Sequence, residues 1–322
     1  MMIRFLVPLS CAHAPRAASR ALSTALPAAL SSTGPEHPAA AAMAAMDALA
    51  EFCAGRGRLL TLTGAGVSTD SGIPDYRGAN GSYKRGHKPV QHSEFVSELR
   101  HRQRYWARSM LGWRPFLAAR PNRSHRALAR LQAHGHLAGG LITQNVDGLH
   151  QRAGSQPVLD LHGRMDAVKC LDCGTMSARA DFQARLELAN PGWLDVDVLE
   201  IRADSDAQLG TLDYSSFAVP PCNVCGGSVK PDVVFFGGSI DEGVVGKSLA
   251  AADACDALLV VGSTCSTYSA FRLVDRAVKR GVPVALLNLG PTRMHTANTP
   301  LALEVELSCS DALEHVAAEL CV

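Results

Sequence analysis

The chain has 322 residues, of which 47% are apolar and 19% are charged, and its formal net charge is +1. This length and composition fit one large globular domain or two smaller ones. The balanced charge argues against a nucleic-acid partner, and the lack of any run of about 18 apolar residues argues against a membrane-spanning helix.

The first 35 residues differ in composition from the rest of the chain. They carry three arginines and many Ala, Ser and Leu residues, and the first acidic residue is Glu36. Such a start is typical of an organelle transit peptide, so residues 1–35 predict a mitochondrial matrix protein. The alternative is a secretory signal, because residues 5–9 are apolar, but Pro8 interrupts that short run. An Ala- and Pro-rich linker is expected over residues 31–45.

Beyond the linker, the chain alternates apolar strand-like runs with helical patterns. An Ala-rich helix is predicted over residues 41–54. Strands are predicted at residues 58–63, 140–143, 158–161, 233–236, 257–261 and 283–287, and helices at residues 124–134 and 268–279. Near-continuous apolar strands are typical of a parallel sheet that is covered on both faces. The predicted fold class is therefore α/β, with a doubly wound, Rossmann-like parallel sheet.

Two regions break this alternation. Residues 169–226 hold two Cys-x-x-Cys pairs and few strand-like runs, which predicts an inserted, smaller zinc-binding module. Residues 79–121 are predicted to form a partly helical insertion. The Rossmann-like domain would then consist of residues 41–168 and 227–322.

The cysteine spacing predicts a metal site. Four of the ten cysteines form two pairs, Cys170 with Cys173 and Cys222 with Cys225, and 48 residues separate the pairs. Each pair can direct both thiolates to one ion, and the glycine after each pair permits a tight turn. Four thiolates leave no open position for water, so one structural zinc per chain is predicted. The alternative is a pair of redox-active dithiols or disulfides.

A Gly-x-Gly turn at Gly64 and Gly66 follows the first predicted strand. A strand that ends in such a turn before a helix offers backbone N–H groups to a phosphate. Thr69 stands where the dinucleotide fingerprint needs its third glycine, so these residues alone are equally consistent with a plain tight turn. The polar residues 75–77, just beyond the loop, favour a ligand site.

Polar residues also follow two later strands. Gln144, Asn145 and Asp147 come directly after one of them, and open α/β sheets bind ligands at the carboxyl ends of their strands. Asn145 or Asp147 could instead, or in addition, cap a helix. His162 ends the next predicted strand. An imidazole with a pKa of about 6.5 suits a general base, although most histidines are structural.

Together, these motifs resemble the sirtuin family from about residue 44 to the C-terminus. The matching stretches, in order, are residues 64–77, 144–147, 162–163, the two Cys pairs, 230–237, 262–264 and 288–290. Residues 104–108 and 288–293 look most like class II, mitochondrial sirtuins.

The resemblance implies an NAD-dependent protein-lysine deacylase that transfers the acyl group of an acyl-lysine protein to ADP-ribose and releases nicotinamide. Asp147 would bind the nicotinamide, Asn145 would position the ribose, and His162 would take a proton from a ribose hydroxyl. Asn145 and His162 are therefore the predicted catalytic residues. The predicted NAD-binding residues are Gly64, Ala65, Gly66, Ser68, Thr69, Asp75, Tyr76, Arg77, Gln144, Asn145, Val146, Asp147, Gly262, Ser263, Thr264, Asn288, Leu289, Gly290 and Cys309.

One further pair predicts the chemistry of the acyl group. Tyr105 and Arg108 are three residues apart on a predicted helix, which places both side chains on one face. The pair resembles the feature by which some mitochondrial sirtuins accept acidic acyl chains, and a forked guanidinium suits a carboxylate. Tyr105 and Arg108 are thus the predicted acyl pocket. The alternative is that Arg108 lies on a solvated face of a basic helix.

Two other functions stay open on the sequence. One is mono-ADP-ribosyl transfer to a protein, which would use the same NAD site. The other is a slow regulator that binds partners through its zinc module. Gly238 stands where the family usually has an acidic residue, and residues 265–267 replace its apolar substrate loop. These departures affect the expected recognition of the substrate peptide and the expected rate.

Overall fold

The computed structural model describes residues 38–78 and 81–322, so the predicted transit peptide lies outside the described residues. The helices are α1 (Pro38–Ala54), α2 (His92–Ser97), α3 (Leu99–Ala118), α4 (Arg123–Ala133), α5 (Leu149–Arg152), α6 (Arg179–Ala189), α7 (Glu242–Ala254), α8 (Tyr268–Lys279), α9 (Arg293–Thr296) and α10 (Cys309–Leu320). Short 3-10 helices lie at Ala65–Ser71 and Pro191–Trp193. Over the described ranges, none of the helices has the length and apolarity that a membrane span requires.

Within the described residues, the strands belong to three sheets. In chain order they are β1 (Leu59–Thr63), β2 (Gly140–Thr143), β3 (Val158–Asp160), β4 (Gly163–Cys170), β5 (Met176–Ala178), β6 (Glu200–Ile201), β7 (Ala207–Gln208), β8 (Val229–Val233), β9 (Ala257–Val261), β10 (Val284–Leu287) and β11 (Leu303–Val305). The large sheet has the order β11-β10-β9-β1-β2-β3, and all of its pairings are parallel. The predicted doubly wound parallel sheet is therefore confirmed.

The register of the large sheet places its polar loops at one edge. Thr63 at the end of β1 pairs with Thr143 of β2 and with Val261 of β9. Thr143 in turn pairs with Asp160 of β3, and Val261 pairs with Leu287 of β10. The strands thus end at the same level. β1 pairs with β2 on one side and with β9 on the other, and the strand order runs outward from this point in both directions. At such a switch in strand order a crevice opens between the loops of the neighbouring strands.

Alternating residues of the central strands pack into two separate cores. In β9, Leu259 and Val261 face a core that includes residues of α1, α4 and α10. Leu258 and Val260 face the opposite core, to which α7 and α8 contribute. Side chains of a strand point alternately to its two faces, so an apolar run such as Ala257–Val261 is buried on both.

The first helix begins earlier than predicted. The structure starts α1 at Pro38, so the linker predicted over residues 31–45 is wrong from Pro38 onward. Pro is tolerated in the first turn of a helix, where its missing N–H leaves no hydrogen bond unmade, and the alanines that follow have the highest helix propensity. The helices predicted at residues 124–134 and 268–279 are confirmed as α4 and α8.

The predicted strand at residues 233–236 is wrong as a member of the large sheet. The chain forms β8 at Val229–Val233 instead, and β8 pairs antiparallel with β4 in a three-stranded sheet of order β5-β4-β8. A short apolar run does not reveal which sheet it joins. Since β4 runs from Gly163 to Cys170, the module boundary predicted at residue 169 falls inside a strand.

The small sheet, α2, α3 and α6 build a smaller layer around an aromatic cluster. Phe95 of α2, Trp106 of α3 and Phe182 of α6 are buried in this cluster. The hairpin of β6 and β7 lies against α3, where a Cβ added at Gly112 would come within 2.0 Å of the Ser205 carbonyl oxygen. The absence of a side chain at residue 112 therefore permits the hairpin tip to approach the helix closely.

Candidate active site

A cavity of about 680 Å³ lies between the carboxyl edge of the large sheet and the smaller layer. Ligand pockets in proteins have volumes of roughly 300–1,000 Å³, so this cavity is large enough for a cofactor-sized molecule. At the sheet edge its lining includes Gly64, Ser68, Gln144, His162 and Ser263. We call this part of the cavity the sheet end.

The glycine loop after β1 is anchored to the loop after β9. The Gly64 backbone N–H donates to the Val261 carbonyl over 3.0 Å, and the Gly66 N–H donates to the Gly262 carbonyl over 2.9 Å. A Cβ at Gly66 would lie 2.9 Å from the Gly262 Cα, so no side chain fits between the two loops. This arrangement leaves a backbone-lined hollow at the crevice between β1 and β9, which is where such sheets bind phosphates.

Three polar side chains after β1 and β2 form a connected network, and a fourth, Gln144, pairs with the loop after β9. Asn145 Nδ2 donates to the Gly64 carbonyl and to Ser68 Oγ, each over 3.0 Å. Ser68 Oγ donates to Asp147 Oδ2 over 2.7 Å, and Gln144 Nε2 donates to Ser263 Oγ over 2.7 Å. These bonds hold the amides and the carboxylate in fixed orientations before any ligand arrives.

The capping alternative does not hold in its strict form, because the N-cap residue of α5 is Gly148 and not Asn145 or Asp147. Asp147 Oδ1 accepts a 2.8 Å hydrogen bond from the backbone N–H of Leu149, the first residue of α5. Its second oxygen still faces Ser68, so the carboxylate bonds the first N–H of the helix and lines the cavity at the same time. Burial raises the pKa of Asp147, and the hydrogen bonds from Leu149 and Ser68 oppose that shift.

His162 is fixed in one tautomer. Its Nδ1–H donates to the Gln144 carbonyl over 3.0 Å, so the lone pair lies on Nε2. Ser269 Oγ, at the start of α8, lies 2.8 Å from that Nε2 and donates to it. Burial lowers the pKa of His162, the Gln144 hydrogen bond opposes the shift, and the charge of Arg272 adds to it. The imidazole is therefore neutral at neutral pH and carries a basic nitrogen.

Most of the predicted NAD-binding residues line the cavity. Those that do are Gly64, Ala65, Gly66, Ser68, Asp75, Tyr76, Arg77, Gln144, Asn145, Val146, Asp147, Gly262, Ser263, Thr264, Asn288 and Leu289. Three lie outside the lining. Thr69 bonds the carbonyl of Gly66 in its own loop, the Gly290 N–H bonds Glu306, and Cys309 begins α10. Burial raises the pKa of the Cys309 thiol to about 12.

The amides, hydroxyls and guanidinium around the cavity match the donors and acceptors that a dinucleotide requires. Arg77 lies over the ring of Tyr83, 5.0 Å from its centre, and Asp75 accepts from the Gly78 N–H. Asn288 Nδ2 donates to the carbonyls of Leu289 and Gly290. The residues present therefore fit NAD at this end of the cavity.

The four predicted zinc ligands come together. The ligand atoms of Cys170, Cys173, Cys222 and Cys225 all lie within 4.8 Å of one another, and none of these cysteines forms a disulfide. Cys170 Sγ is 3.5 Å from Cys225 Sγ, and Cys173 Sγ is 3.8 Å from Cys222 Sγ. Tetrahedral zinc with Zn–S bonds of about 2.3 Å places its sulfurs about 3.8 Å apart. The cluster thus fits one structural zinc.

The predicted turns of the zinc site are present as well. Gly174 and Gly226, which follow the two pairs, have φ angles of +73° and +75°. Only glycine adopts this left-handed conformation without strain, so each turn can bring its pair of sulfurs to one side.

At the opposite end of the cavity, which we call the module end, lie Tyr105 and Arg108 of α3. Arg108 is only 8% exposed, so the solvated-face interpretation is wrong. Its guanidinium is already engaged: Nε lies 2.7 Å from Asp206 Oδ1, and Nη2 donates to Asp206 Oδ2 over 2.7 Å. Arg108 is thus buried beside the predicted pocket, but its partner is a carboxylate of the chain itself.

The sequence did not single out several of the residues that line this cavity. Asp204 and Asp206 belong to the β6–β7 hairpin and line the cavity. In the sequence they are part of a polar stretch between the two Cys pairs, for which no site was predicted. Ser269 and Arg272 are spaced one helical turn apart on α8, yet nothing in their local pattern pointed to His162. Their roles depend on contacts between segments that are distant in sequence.

The sequence of the chain matches a known protein family and several known relatives. The Sir2 family model matches residues 64–269. The chain is 51% identical over 266 residues to an NAD-dependent protein deacetylase of Xanthomonas campestris pv. campestris (strain 8004), and the match covers 83% of this chain and 89% of the relative. The chain belongs to the Sir2 family. The sirtuin resemblance is therefore confirmed.

Further relatives agree with this assignment. This sirtuin is 50% identical over 236 residues to the NAD-dependent protein deacylase SIR4 of Monosiga brevicollis, with 72% of this chain and 75% of the relative covered. A structure from a study of the mechanism and regulation of Sir2 enzymes matches with a TM-score of 0.67 and 30% identity, covering 86% of this chain and 98% of that chain. Sir2Tm bound to a propionylated peptide matches with a TM-score of 0.64 and 28% identity, covering 85% and 98%.

Proposed function

We propose that this sirtuin is an NAD-dependent protein-lysine deacylase, which transfers the acyl group of acyl-lysine to ADP-ribose and releases nicotinamide. The observation that carries the proposal is the neutral His162, whose basic Nε2 faces the same cavity as Asn145 and Asp147. The names of the relatives, deacetylase and deacylase, support the same reaction.

Each polar group at the sheet end has a task in this reaction. When bound, NAD would supply the ribose carbon that bonds the acyl oxygen as its bond to nicotinamide breaks. Asp147, held by Ser68, would accept hydrogen bonds from the nicotinamide amide, and Asn145 would orient the ribose. Nε2 of His162 would take the proton of a ribose hydroxyl in place of the hydrogen bond that it now accepts from Ser269.

The reaction products test this proposal. The protein would be incubated with NAD and an acetyl-lysine peptide, and the products would be identified by mass spectrometry. Deacylation yields free lysine peptide, nicotinamide and acylated ADP-ribose in equal amounts. A protein that carries ADP-ribose while the acyl group stays on lysine would instead indicate mono-ADP-ribosyl transfer. No nicotinamide release with any acyl peptide would leave only a binding role.

We also propose that the substrates are acyl-lysine proteins of the mitochondrial matrix, as the likeness to class II sirtuins suggests. The acid-free, Arg-bearing composition of residues 1–35 supports this location. The full chain and a chain without residues 1–35 would each be fused to a fluorescent protein and imaged. Mitochondrial signal from the full chain alone is the expected result, and secretion of the full chain would contradict it.

A further inference from the structure

The module end of the cavity contains an anion-binding site that the chain fills itself. Besides its two contacts with Arg108, the Asp206 carboxylate accepts a hydrogen bond from Arg202 Nη1 over 3.0 Å. Arg108 Nε also donates to the Ala207 carbonyl over 2.9 Å. A two-point contact between a guanidinium and a carboxylate is the geometry with which arginine recognises an acyl-chain carboxylate.

The hairpin that carries Asp206 has little freedom to withdraw. Ser205 at its tip is fully buried, and its carbonyl occupies the space that a side chain at Gly112 would fill. Arg202 Nη2 also bonds Gln208 Oε1 across the base of the hairpin, over 2.8 Å. The backbone on both sides of Asp206 is therefore held against α3, so an incoming carboxylate would have to displace the Asp206 side chain itself.

The surrounding groups include a second arginine, Arg104, and a buried carboxyl and imidazole with unpaired polar atoms. Asp204 lines the same end, and burial together with the charge of Asp206 raises its pKa to about 7. Among the described residues, Asp204 Oδ1 and both ring nitrogens of His87 are buried without a hydrogen-bond partner. His87, Asp204 and Asp206 bring ligand atoms within 4.8 Å of one another, but Arg108 and Arg202 already neutralise Asp206, which disfavours a metal cation there.

We propose that Asp206 is a specificity-determining residue, which competes with acyl-chain carboxylates for Arg108 and directs the pocket toward uncharged acyl groups. An acidic acyl chain would have to replace the Asp206 carboxylate on the guanidinium of Arg108. An uncharged polar acyl end would avoid this competition and could bond the unpaired atoms of Asp204 and His87. The inference rests on the proposed deacylase function, since it concerns the acyl group that this activity removes.

The first test uses the unaltered protein. Peptides that carry glutaryl-lysine and its primary-amide analogue differ in charge but hardly in size. The full chain with NAD should deacylate the amide at least as fast as the acid, judged by kcat/KM. A clear preference for glutaryl-lysine would overturn the proposal. If Arg108→Met left such a preference intact, the carboxylate would instead be bound elsewhere, and Arg272, which also lines the cavity, would be the next residue to test.

The second test removes the competing charge. Asp206→Asn should raise the glutaryl-to-amide ratio of kcat/KM by about tenfold or more, the gain expected when a charge-assisted hydrogen bond becomes available. The matched control is Glu200→Gln, because Glu200 lies in the same hairpin, pairs with Arg85 and does not line the cavity. This control should leave the ratio unchanged, and Asp206→Asn with Arg108→Met should lose the gain.

Turnover of an acetyl-lysine peptide separates the possible failures. If no acyl peptide is deacylated by the unaltered protein, the proposed function itself fails. If Asp206→Asn deacylates the acetyl peptide but keeps the original glutaryl-to-amide ratio, only the inference about Asp206 fails. Should Asp206→Asn not fold, the comparison of the two peptides with the unaltered protein still decides the question.

Discussion

Polar side chains line both ends of the cavity, but different features of the fold hold them in position. At the sheet end, Asn145, Asp147 and His162 each follow a parallel strand within a few residues, and local hydrogen bonds fix their orientation. At the module end, Arg108 meets Asp206 across 98 residues of sequence, and the two come from separate insertions. The sheet end is therefore determined by the architecture, and the module end by one particular pairing.

This difference predicts where related chains can vary. Any chain with the same strands presents its post-strand residues at the same edge, so the position of the sheet end is set by the sheet itself. The module end depends on the length and charge of the β6–β7 hairpin, which contacts the large sheet little. We infer that the sheet end determines the reaction, whereas the module end determines which acyl group is accepted.

Loss of the base at the sheet end should give the largest effect. His162→Tyr should lower deacylation by ~10²–10⁴-fold, because removal of a general base typically costs that much. Peptide turnover with NAD measures the loss, and thermal unfolding checks that the fold persists. His134→Tyr is the matched control, since His134 is exposed at the end of α4. Turnover like that of the unaltered protein in His162→Tyr would show that another group is the base.

Loss of the metal tests the smaller layer, whose residues also form the module end of the cavity. Cys173→Ser should abolish binding of one zinc per chain and lower Tm by more than about 5 °C, because a structural zinc contributes directly to folding. Elemental analysis and thermal unfolding give the two measurements. Cys321→Ser, at the far end of α10, is the control and should keep the metal. Active protein that contains no zinc would contradict the assignment.

The sequence predicted the sheet end far better than the module end, for a physical reason. Strand ends and the loops after them are encoded locally, so Gly64, Asn145 and His162 could be located from apolar runs and the polar residues behind them. The Cys pairs were equally clear, because a metal needs a fixed local spacing. Residues 233–236 were wrongly assigned to the large sheet, because an apolar run gives no information about the strand with which it pairs.

The partner of Arg108 could not be predicted in the same way. A guanidinium on a helix is compatible with solvent, with a ligand or with an internal carboxylate, and only the folded position of the β6–β7 hairpin decides among these. The same holds for Ser269 and Arg272, which approach His162 from α8. Their contribution becomes visible only once the sheet and α8 are packed together.

A smaller effect is expected from Arg272, whose charge lowers the pKa of His162 at the sheet end. The neutral form of His162 is the active base, and burial lowers its pKa, so protonation should inactivate the enzyme only below pH ~6.5. The acid limb of kcat/KM should therefore lie on the acidic side of that value. Arg272→Met removes a nearby positive charge and should move the limb to higher pH. An acid limb above pH ~6.5 in the unaltered protein would contradict a base that is held neutral by burial.

The smallest expected effect is a pH dependence of stability that arises from histidines buried next to the end of β1. His150 is buried, and its Nε2 lies 2.9 Å from Thr63 Oγ1 at the end of β1. Burial lowers its pKa from 6.5 to about 4, and the neighbouring His125 has a pKa of about 3 for the same reason. In the unfolded chain both groups take up protons below pH ~6.5, whereas the folded chain does not until lower pH. Stability should therefore fall as the pH decreases from ~6.5 toward 4.

Each such histidine should account for roughly 1–2 kcal/mol of unfolding free energy between pH 6.5 and 5, by proton linkage. Urea unfolding at several pH values measures the total, to which other buried histidines also contribute. The decisive quantity is thus the difference between the unaltered protein and His150→Asn, which should show a shallower loss. His134→Asn, with its exposed ring, should keep the full slope. Equal slopes in all three proteins would mean that His150 is protonated alike in the folded and unfolded states, and that burial behind the sheet end does not hold it neutral.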